Sequence, residues 1–315
     1  MSENGLHVVY GAGQVGRAVM AQLAMSGHDV RAVSRHRPVT LPAGVDWRDA
    51  DVTDPDAAAG AATGGSVVYQ CLNAPYTKWP ELFPALQRGV VAAAERTDAL
   101  LVAMENVYAY GSSGGEPMTE DHPLAATTVK GRTRADMTRE LLAAADAGRV
   151  RIAIGRASDF FGAGVTESSL GERVFANALA GKRADFIGNL DLLHTYSYVP
   201  DVAHGLVTLG TDERAIGGVW HLPGPETVTT RAVIDLIADE VGQPVGVRVM
   251  PTTALRALGL FSPMMRGLAE MAYEFEEPFV LDTTKYESTF GTAGTPMNTA
   301  IADTVGWYRS ERTTS

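Results

Sequence analysis

The chain has 315 residues, of which 45% are hydrophobic and 20% charged, enough apolar material for one large core or two unequal ones. A formal net charge of -11 argues against a nucleic-acid or anionic-membrane footprint, while leaving room for a local basic pocket at 31–37. The single cysteine, Cys71, excludes a disulfide framework and reads as a buried strand residue in a reducing compartment.

Leu6 to Tyr10 is an apolar run that predicts a first strand. It leads into Gly11-Ala12-Gly13-Gln14-Val15-Gly16, after which Val15, Ala18, Val19 and Leu23 recur at helical spacing. The loop is G-x-G-x-x-G between a strand and a helix. Such glycines allow a tight turn, close approach of backbone to a pyrophosphate, and close packing of helix on strand. The helix N-terminus offers N–H groups and its dipole to the same anion. Gln14 and Val15, in the loop itself, belong with Gly11, Gly13 and Gly16 to the expected cofactor site.

The second strand, Val30 to Val33, ends in Ser34-Arg35-His36-Arg37. An NAD-binding chain offers an acidic side chain there to the ribose 2'-hydroxyl. A hydroxyl at Ser34 and a guanidinium at Arg35 instead suit a 2'-phosphate, which Arg35 can hold through paired charge-assisted hydrogen bonds. NADP(H) is therefore expected in preference to NAD(H).

Pro38 to Gly44 reads as a loop and Val45 to Val52 as the next strand, ending in Asp51-Val52. Asp51 could accept from an adenine amino group or cap the helix that starts near Asp54-Pro55. Ser66 to Leu72 is a fourth strand running into Asn73-Ala74-Pro75-Tyr76. Trp79 to Arg96 reads as a helix, Ala99 to Tyr108 as a fifth strand, Thr127 to Ala147 as a long helix and Val150 to Arg156 as a sixth strand. This alternation requires an α/β fold with a parallel sheet and right-handed crossovers.

Past Gly162 the rhythm changes to that of a smaller mixed domain. Ser169 to Gly181 looks helical, Leu192 to Val199 strand-like, Asp201 to Gly210 a capped helix and Gly218 to Leu222 a short strand. Arg231 to Val241 is helical, Val245 to Met250 a strand, and Ala254 to Phe275 a Met-rich and Leu-rich helical region. Met264, Met265, Met271 and Phe275 read as core or lid packing. A last helix spans Thr299 to Tyr308. No charged-then-apolar leader and no apolar run of bilayer length is present, so a cytoplasmic location is expected.

The glycine loop, Asp51-Val52, Asn73-Ala74, Tyr110-Gly111, Glu120-Asp121-His122-Pro123, Arg156 with Gly162, and Tyr198-Val199-Pro200-Asp201-Val202-Ala203 occur in an order and spacing that resembles the extended short-chain dehydrogenases/reductases, the group of NAD-dependent epimerases and dehydratases. The resemblance covers nearly the whole chain. It implies a Rossmann-type doubly wound parallel sheet holding the cofactor, over 1–163 plus about 193–222. It also implies a smaller C-terminal α/β substrate-binding domain, over 164–192 plus 223–315. Asn73 and Ala74 join the cofactor contacts on the same ground.

The family implies catalysis by a Ser or Thr on the fifth strand and a Tyr-x-x-x-Lys pair on the following helix. Register places these at Asn106, Lys130 and Arg134, so all three side chains differ and the chain reads as an atypical member. Residues four apart on a helix share a face. An arginine beside a lysine disfavours the ammonium form, so Lys130 could serve as proton donor and acceptor while Arg134 takes the ribose and electrostatic role. Tyr108 and Tyr110 are alternative proton donors, each equally readable as packing. Asn106 can orient a carbonyl but is no useful acid or base. Glu105, preceding it, is expected to point the other way.

The same register puts His194 where sugar-nucleotide members carry an arginine that grips a diphosphate, and Asp159 where they often carry an asparagine. His194, Tyr196 and Tyr198 would share one strand face, lining a pocket or packing. Tyr76, Trp79, Phe160 and Phe161 would suit an apolar or aromatic substrate. Three readings follow. The first is an NADP(H)-dependent oxidoreductase acting on a carbonyl or activated double bond of a small, mostly apolar molecule. The second is an epimerase, dehydratase or isomerase using bound NAD(P) transiently. The third is a non-catalytic NADP(H)-sensing binding protein. No metal is called for; family habit suggests a homodimer.

Overall fold

The computed structural model describes residues 5–291 and 293–314. The chain divides into two compact units: the first takes the chain up to Gly111, Pro123–Arg156 and Val202–Leu222, and the second takes Ser112–His122, Ala157–Asp201 and the chain from Pro223 onward. In chain order the elements begin with β1 (Leu6–Tyr10), α1 (Gln14–Met25), β2 (Val30–Ser34), β3 (Asp46–Asp49), α2 (Pro55–Ala61), β4 (Gly65–Gln70), α3 (Trp79–Thr97), β5 (Leu100–Asn106), α4 (Val129–Asp146) and β6 (Arg151–Ala157). They continue with β7 (Asp159–Phe161), α5 (Glu172–Leu179), β8 (Ala184–Ile187), β9 (Leu193–His194), β10 (Tyr196–Tyr198), α6 (Val199–Thr211), β11 (Val219–His221), β12 (Val228–Thr229), α7 (Thr230–Val241) and β13 (Val247–Met250). The last are α8 (Thr252–Leu258), α9 (Pro263–Glu270), α10 (Thr284–Phe290) and α11 (Met297–Thr314). Among the described residues no helix is long and apolar enough to cross a membrane.

The first unit is an α/β fold built on a parallel sheet of order β11-β6-β5-β4-β1-β2-β3. This is the Rossmann-type doubly wound arrangement. The order reverses at β1, which lies between β2 and β4, and such a reversal opens a crevice at the carboxyl ends of the strands. Val8, Val68, Leu101 and Ile154 run through the centre of the sheet, covered by Ala58 and Ala62 of the α2 region, Val90, Ala93 and Ala94 of α3, and Leu141 and Ala144 of α4. The small residues of α2 and α3 let the helices lie close to one another over the strands. Truncating one of the large members, Leu101 or Ile154, is expected to cost about 2–5 kcal/mol.

In the second unit α5, α7 and α11 enclose Phe161, Val174, Phe175, Val233, Ile237, Ile301, Val305 and Tyr308. Its strands form short pairs, β7 with β10, β9 with β12 and β8 with β13. The Thr229 hydroxyl caps α7 by accepting from the Ala232 N–H, and Gly242, at φ 80°, ends it in the left-handed conformation that glycine tolerates.

Several expectations are corrected here. The strand expected over 45–52 contracts to Asp46–Asp49, because the Asp51 carboxylate turns the chain by accepting from the Thr53 N–H at 3.0 Å and hydroxyl at 2.7 Å. The strand expected over 192–199 is two strands broken at Thr195, whose N–H donates to Phe279 O while its halves pair with β12 and β7. Both halves belong to the second unit, so only Val202–Leu222 joins the first. The helix expected over 169–181 shortens to Glu172–Leu179. The region 254–275 is interrupted after Leu258, and Ser262 caps a new helix with Pro263 in its first turn. Of the residues read as core or lid packing, Met271 is buried, Met265 and Phe275 are half-buried and Met264 is exposed. Strands β7, β8 and β12 and helix α10 have no counterpart in the sequence reading; all are short.

Candidate active site

The glycine loop sits at the carboxyl end of β1 and is shaped by close backbone contacts. Gly11 adopts φ +101°, and a Cβ there would lie 2.5 Å from Cys71 O; a Cβ at Gly16 would lie 2.0 Å from Gly11 O. Nothing lies within 4 Å of a Cβ built on Gly13, which starts α1 with no side-chain cap and no acidic residue in the first turn. The first-turn N–H groups that follow Gly13 meet the requirements of an anion. Gln14 and Val15, half-buried, continue into the helix. Cys71 extends the β1–β4 pairing through its N–H to Tyr10 O at 2.8 Å, one residue past the end of β4, and burial pushes its thiol up to about 12. That is the state of an inert thiol.

At the end of β2 the Ser34 hydroxyl donates to His36 O at 2.8 Å and accepts from Trp47 Nε1 at 3.1 Å. Arg35, His36 and Arg37 are exposed. The Thr53 hydroxyl and N–H hold the Asp51 carboxyl below the usual carboxylate range, and the nearby Arg35 charge adds to this. Arg35 and Asp51 thus border the same edge of the sheet. Asp54, not Asp51, caps α2. After β4, Asn73 is exposed while Ala74 is buried, its carbonyl accepting from Trp79 Nε1 at 3.0 Å.

The α4 cations point into an aromatic group. The Thr128 hydroxyl caps α4 by accepting from Gly131 N–H at 3.1 Å, which starts the helix so that Lys130 and Arg134 share its inner face. Lys130 is 5% exposed, with Nζ 4.1 Å from the centre of the Tyr76 ring. Arg134 is 6% exposed, with Cζ 4.0 Å from the Phe83 ring and 4.8 Å from Trp79. Tyr76 meets Trp79 edge-on at 5.5 Å, and Tyr108 stacks on Trp79 at 5.7 Å. Both cations therefore rest on ring faces. Asn106 turns its Oδ1 to the Tyr108 N–H at 3.2 Å and caps the short turn after β5.

Glu105 overturns an expectation. It faces α4, fully buried, with Oε1 3.6 Å from Arg134 Nη1 and Oε2 accepting from the Thr138 hydroxyl at 3.3 Å. Arg156 Nη2 donates to the same hydroxyl at 3.4 Å, and its Cζ lies 4.6 Å from the Tyr110 ring. Burial pushes the Glu105 carboxyl up against the opposing pull of Arg134 and Arg156. The Tyr110 hydroxyl meets His221 Nε2 at 2.7 Å, both groups being buried. Thr138, Arg156 and His221 were outside the sequence reading of the site, for they become neighbours only through the sheet order.

In the second unit the structure brings Asp159, His194 and Tyr196 together. His194 Nε2 lies 3.3 Å from Asp159 Oδ2, which also accepts from the Ser169 hydroxyl at 2.9 Å. The His194 and Tyr196 rings are 4.4 Å apart, and Tyr196 meets Thr230 through its hydroxyl at 2.8 Å. Tyr198 is occupied elsewhere, donating to Asp303 at 3.2 Å and packing on Phe161. Phe160 is half-buried beside Asp159 in the chain. Glu274, buried in the second unit, had no signal in the sequence: it lies in a stretch read only as helical packing.

A model of the NAD dependent epimerase/dehydratase family matches residues 7–221. The fold is similar to that of dTDP-glucose 4,6-dehydratase from Bacillus anthracis, solved in complex with NAD, with TM-score 0.81 at 14% identity over 98% of each chain. It is also similar to UDP-glucuronic acid 4-epimerase from Bacillus cereus, likewise with NAD, with TM-score 0.77 at 13% identity over 97% of this chain and 99% of that one. An epimerase from Methanothermobacter thermautotrophicus gives TM-score 0.81 at 15% identity over 99% and 94%. Among curated proteins, an uncharacterized protein of Mycobacterium tuberculosis is 40% identical over 60 residues, which is 19% of this chain and 7% of that protein's length.

Proposed function

The chain belongs to the NAD dependent epimerase/dehydratase family, and from that membership we propose that it is an NADP(H)-dependent reductase or dehydrogenase acting on a carbonyl or activated double bond of a small, mostly apolar molecule. The observation that carries this reading is Lys130: an ammonium set on the Tyr76 ring, inside an aromatic group, at the helix position from which the family delivers its proton. The open space over Gly13 and the tight contacts of Gly11 and Gly16 fit a pyrophosphate. The exposed Arg35, on a strand end without a carboxylate, fits a 2'-phosphate.

When bound, the reduced nicotinamide would supply a hydride to the carbonyl carbon. Lys130 Nζ gives its proton to the carbonyl oxygen, which becomes a hydroxyl, and the resulting amine takes a proton back from solvent. Asn106, with its Oδ1 engaged by Tyr108, keeps amide N–H groups that orient the carbonyl oxygen. Arg134 keeps a second positive charge on the same helix face and is held there by Glu105, Trp79 and Phe83. Tyr76, Trp79, Phe83 and Tyr108 exclude water from the apolar part of the substrate.

The test is oxidation of NADPH by aromatic aldehydes, ketones and enones, followed with wild type and Lys130→Met. Turnover in the variant should fall about 100- to 10,000-fold while NADPH binding is retained. Unchanged turnover removes Lys130 as the acid. Product formed with no net change in NADPH absorbance would favour the epimerase or dehydratase reading instead.

A further inference from the structure

The second unit carries an apolar tip that the proposed reaction does not use. Helices α8 and α9 form a hairpin closed by Gly259–Ser262, in which the N–H groups of Leu260 and Phe261 donate to Ala257 O and Leu258 O and the Ser262 hydroxyl caps α9. A Cβ at Gly259 would lie 3.0 Å from Arg266 Cα, so the two helices meet there backbone to backbone. The turn is thereby fixed with its apolar side chains outward. Leu260 is 77% exposed and Phe261 88%, with Leu258 and Met264 on either side of them at 45% each. Among the described residues other exposed large apolar side chains, such as Met25, Val39 and Ile216, stand far apart along the chain. Single ones are ordinary, but four on one hairpin mark a contact surface.

The charges around the tip select what it contacts. The chain has 37 aspartates and glutamates, yet residues 241–269 contain none and carry Arg248, Arg256 and Arg266. Arg248 and Arg256 are paired, with Asp185 at 2.7 Å and Glu276 at 2.6 Å, whereas Arg266, on α9 itself, is exposed and has no ion pair among the described residues. An apolar tip with a cation at its shoulder suits a hydrocarbon layer beneath anionic headgroups. The net charge of -11 repels such a layer from the rest of the surface, which leaves this acid-free hairpin to approach it. A second copy of the chain is the poorer occupant. The four side chains together expose roughly 400–600 Å², short of the about 800 Å² that each partner of a standard interface buries, and a two-fold contact would gather Arg266 of both copies around one apolar centre.

We infer that the α8–α9 hairpin docks the second unit on an anionic lipid surface, with Leu260 and Phe261 entering the acyl boundary and Arg266 at the headgroup phosphates. The contact is peripheral. Helices of 7 and 8 residues cannot span a bilayer, whereas apolar side chains at a helical tip reach the about 5–10 Å depth at which interfacial segments lie. The arginine's share of the attraction falls off within a Debye length of about 8 Å, so it weakens as salt is raised. The binding does not depend on the reaction proposed above.

The test is flotation of the full chain with vesicles of phosphatidylglycerol and phosphatidylcholine in equal parts, and with vesicles of phosphatidylcholine alone. The protein should partition onto the mixed vesicles about fivefold or more better than onto the neutral ones, the effect of one arginine at an anionic surface. Arg266→Gln should remove that preference. Leu260→Ser combined with Phe261→Ser should lower partition at least about tenfold and keep the wild-type melting temperature, since both side chains are exposed. Phe261→Trp should show a blue shift of emission, and quenching by brominated lipid, when mixed vesicles are added. No flotation with the mixed vesicles overturns the lipid contact, as does equal flotation with the two compositions or wild-type flotation of the serine double variant. Sedimentation equilibrium separates the other occupant: a wild-type oligomer that the serine double variant dissociates assigns the tip to a second copy and overturns the lipid contact too.

Discussion

Glu105 Oε1 and Arg134 Nη1 face each other from β5 and α4 at 3.6 Å, both buried and neither in a hydrogen bond. The pair is held by charge and by packing of the guanidinium on Trp79 and Phe83. Removing one partner leaves the other charge without compensation in a low-dielectric interior. Glu105→Leu is expected to lower stability by about 3–5 kcal/mol, and the double variant Glu105→Leu with Arg134→Met by clearly less. Urea unfolding of the two singles and the double reads the difference. Additive losses would show that the two residues act separately.

Gly16 and Gly13 separate folding from nucleotide binding within one loop. Gly16→Ala places a Cβ 2.0 Å from the Gly11 carbonyl and is expected to destabilise by about 1–3 kcal/mol or more. Gly13→Ala meets no protein atom within 4 Å, so its effect on stability should stay near 1 kcal/mol, the usual cost of alanine at a helix start. The methyl would nevertheless project where the pyrophosphate is proposed to lie. Thermal melts paired with NADPH titrations check both halves: Gly13→Ala should melt close to wild type and bind NADPH at least about tenfold more weakly. Unaltered NADPH affinity in Gly13→Ala would move the nucleotide away from this loop.

Arg35 tests the choice of dinucleotide. Hydrogen bonds to a charged group contribute about 1.5–3 kcal/mol, so Arg35→Ala should weaken NADPH binding about 10- to 100-fold and leave NADH binding unchanged. Thermal shift with NADP+, NADPH, NAD+ and NADH gives the comparison, since each ligand raises the melting temperature by mass action. Equal loss for both dinucleotides would take the 2'-phosphate contact away from Arg35.

His7 makes acid stability depend on one buried imidazole. It lies on β1 with Nδ1 3.0 Å from the Tyr69 hydroxyl, and burial, aided by the neighbouring His28, lowers its pKa from 6.5 to about 4. The unfolded chain therefore binds a proton between these values that the folded chain does not. Unfolding free energy should be full above about pH 6.5 and fall toward pH 4, by on the order of 3 kcal/mol from this group. His7→Gln should flatten that part of the profile in urea unfolding across pH 4 to 7. A profile of wild-type slope in the variant would assign the acid sensitivity to other groups.

The parts of the molecule legible in its sequence are those set by neighbours along the chain. The apolar run Leu6–Tyr10, the glycine spacing from Gly11 to Gly16 and the helical recurrence of Val19 and Leu23 specify strand, turn and helix within one short stretch. Right-handed crossovers then leave few sheet orders for such an alternation. Lys130 and Arg134 share a face because of helix geometry alone.

What only the tertiary structure decided is which distant groups meet. Alternation along β5 placed Glu105 away from the site, yet the packing of α4 on that strand buries it beside Arg134, because the turn after β5 takes Asn106 for its own cap. Thr195 interrupts a run that reads as one strand, because its two halves find different partners in β12 and β7. Asp159, His194 and Phe275 sit in separate stretches with no common motif, and they converge only when β7, β9 and the turn at 272–275 fold onto one another. Local periodicity records the face a side chain offers; the identity of what it faces depends on long-range pairing and burial, which that periodicity does not carry.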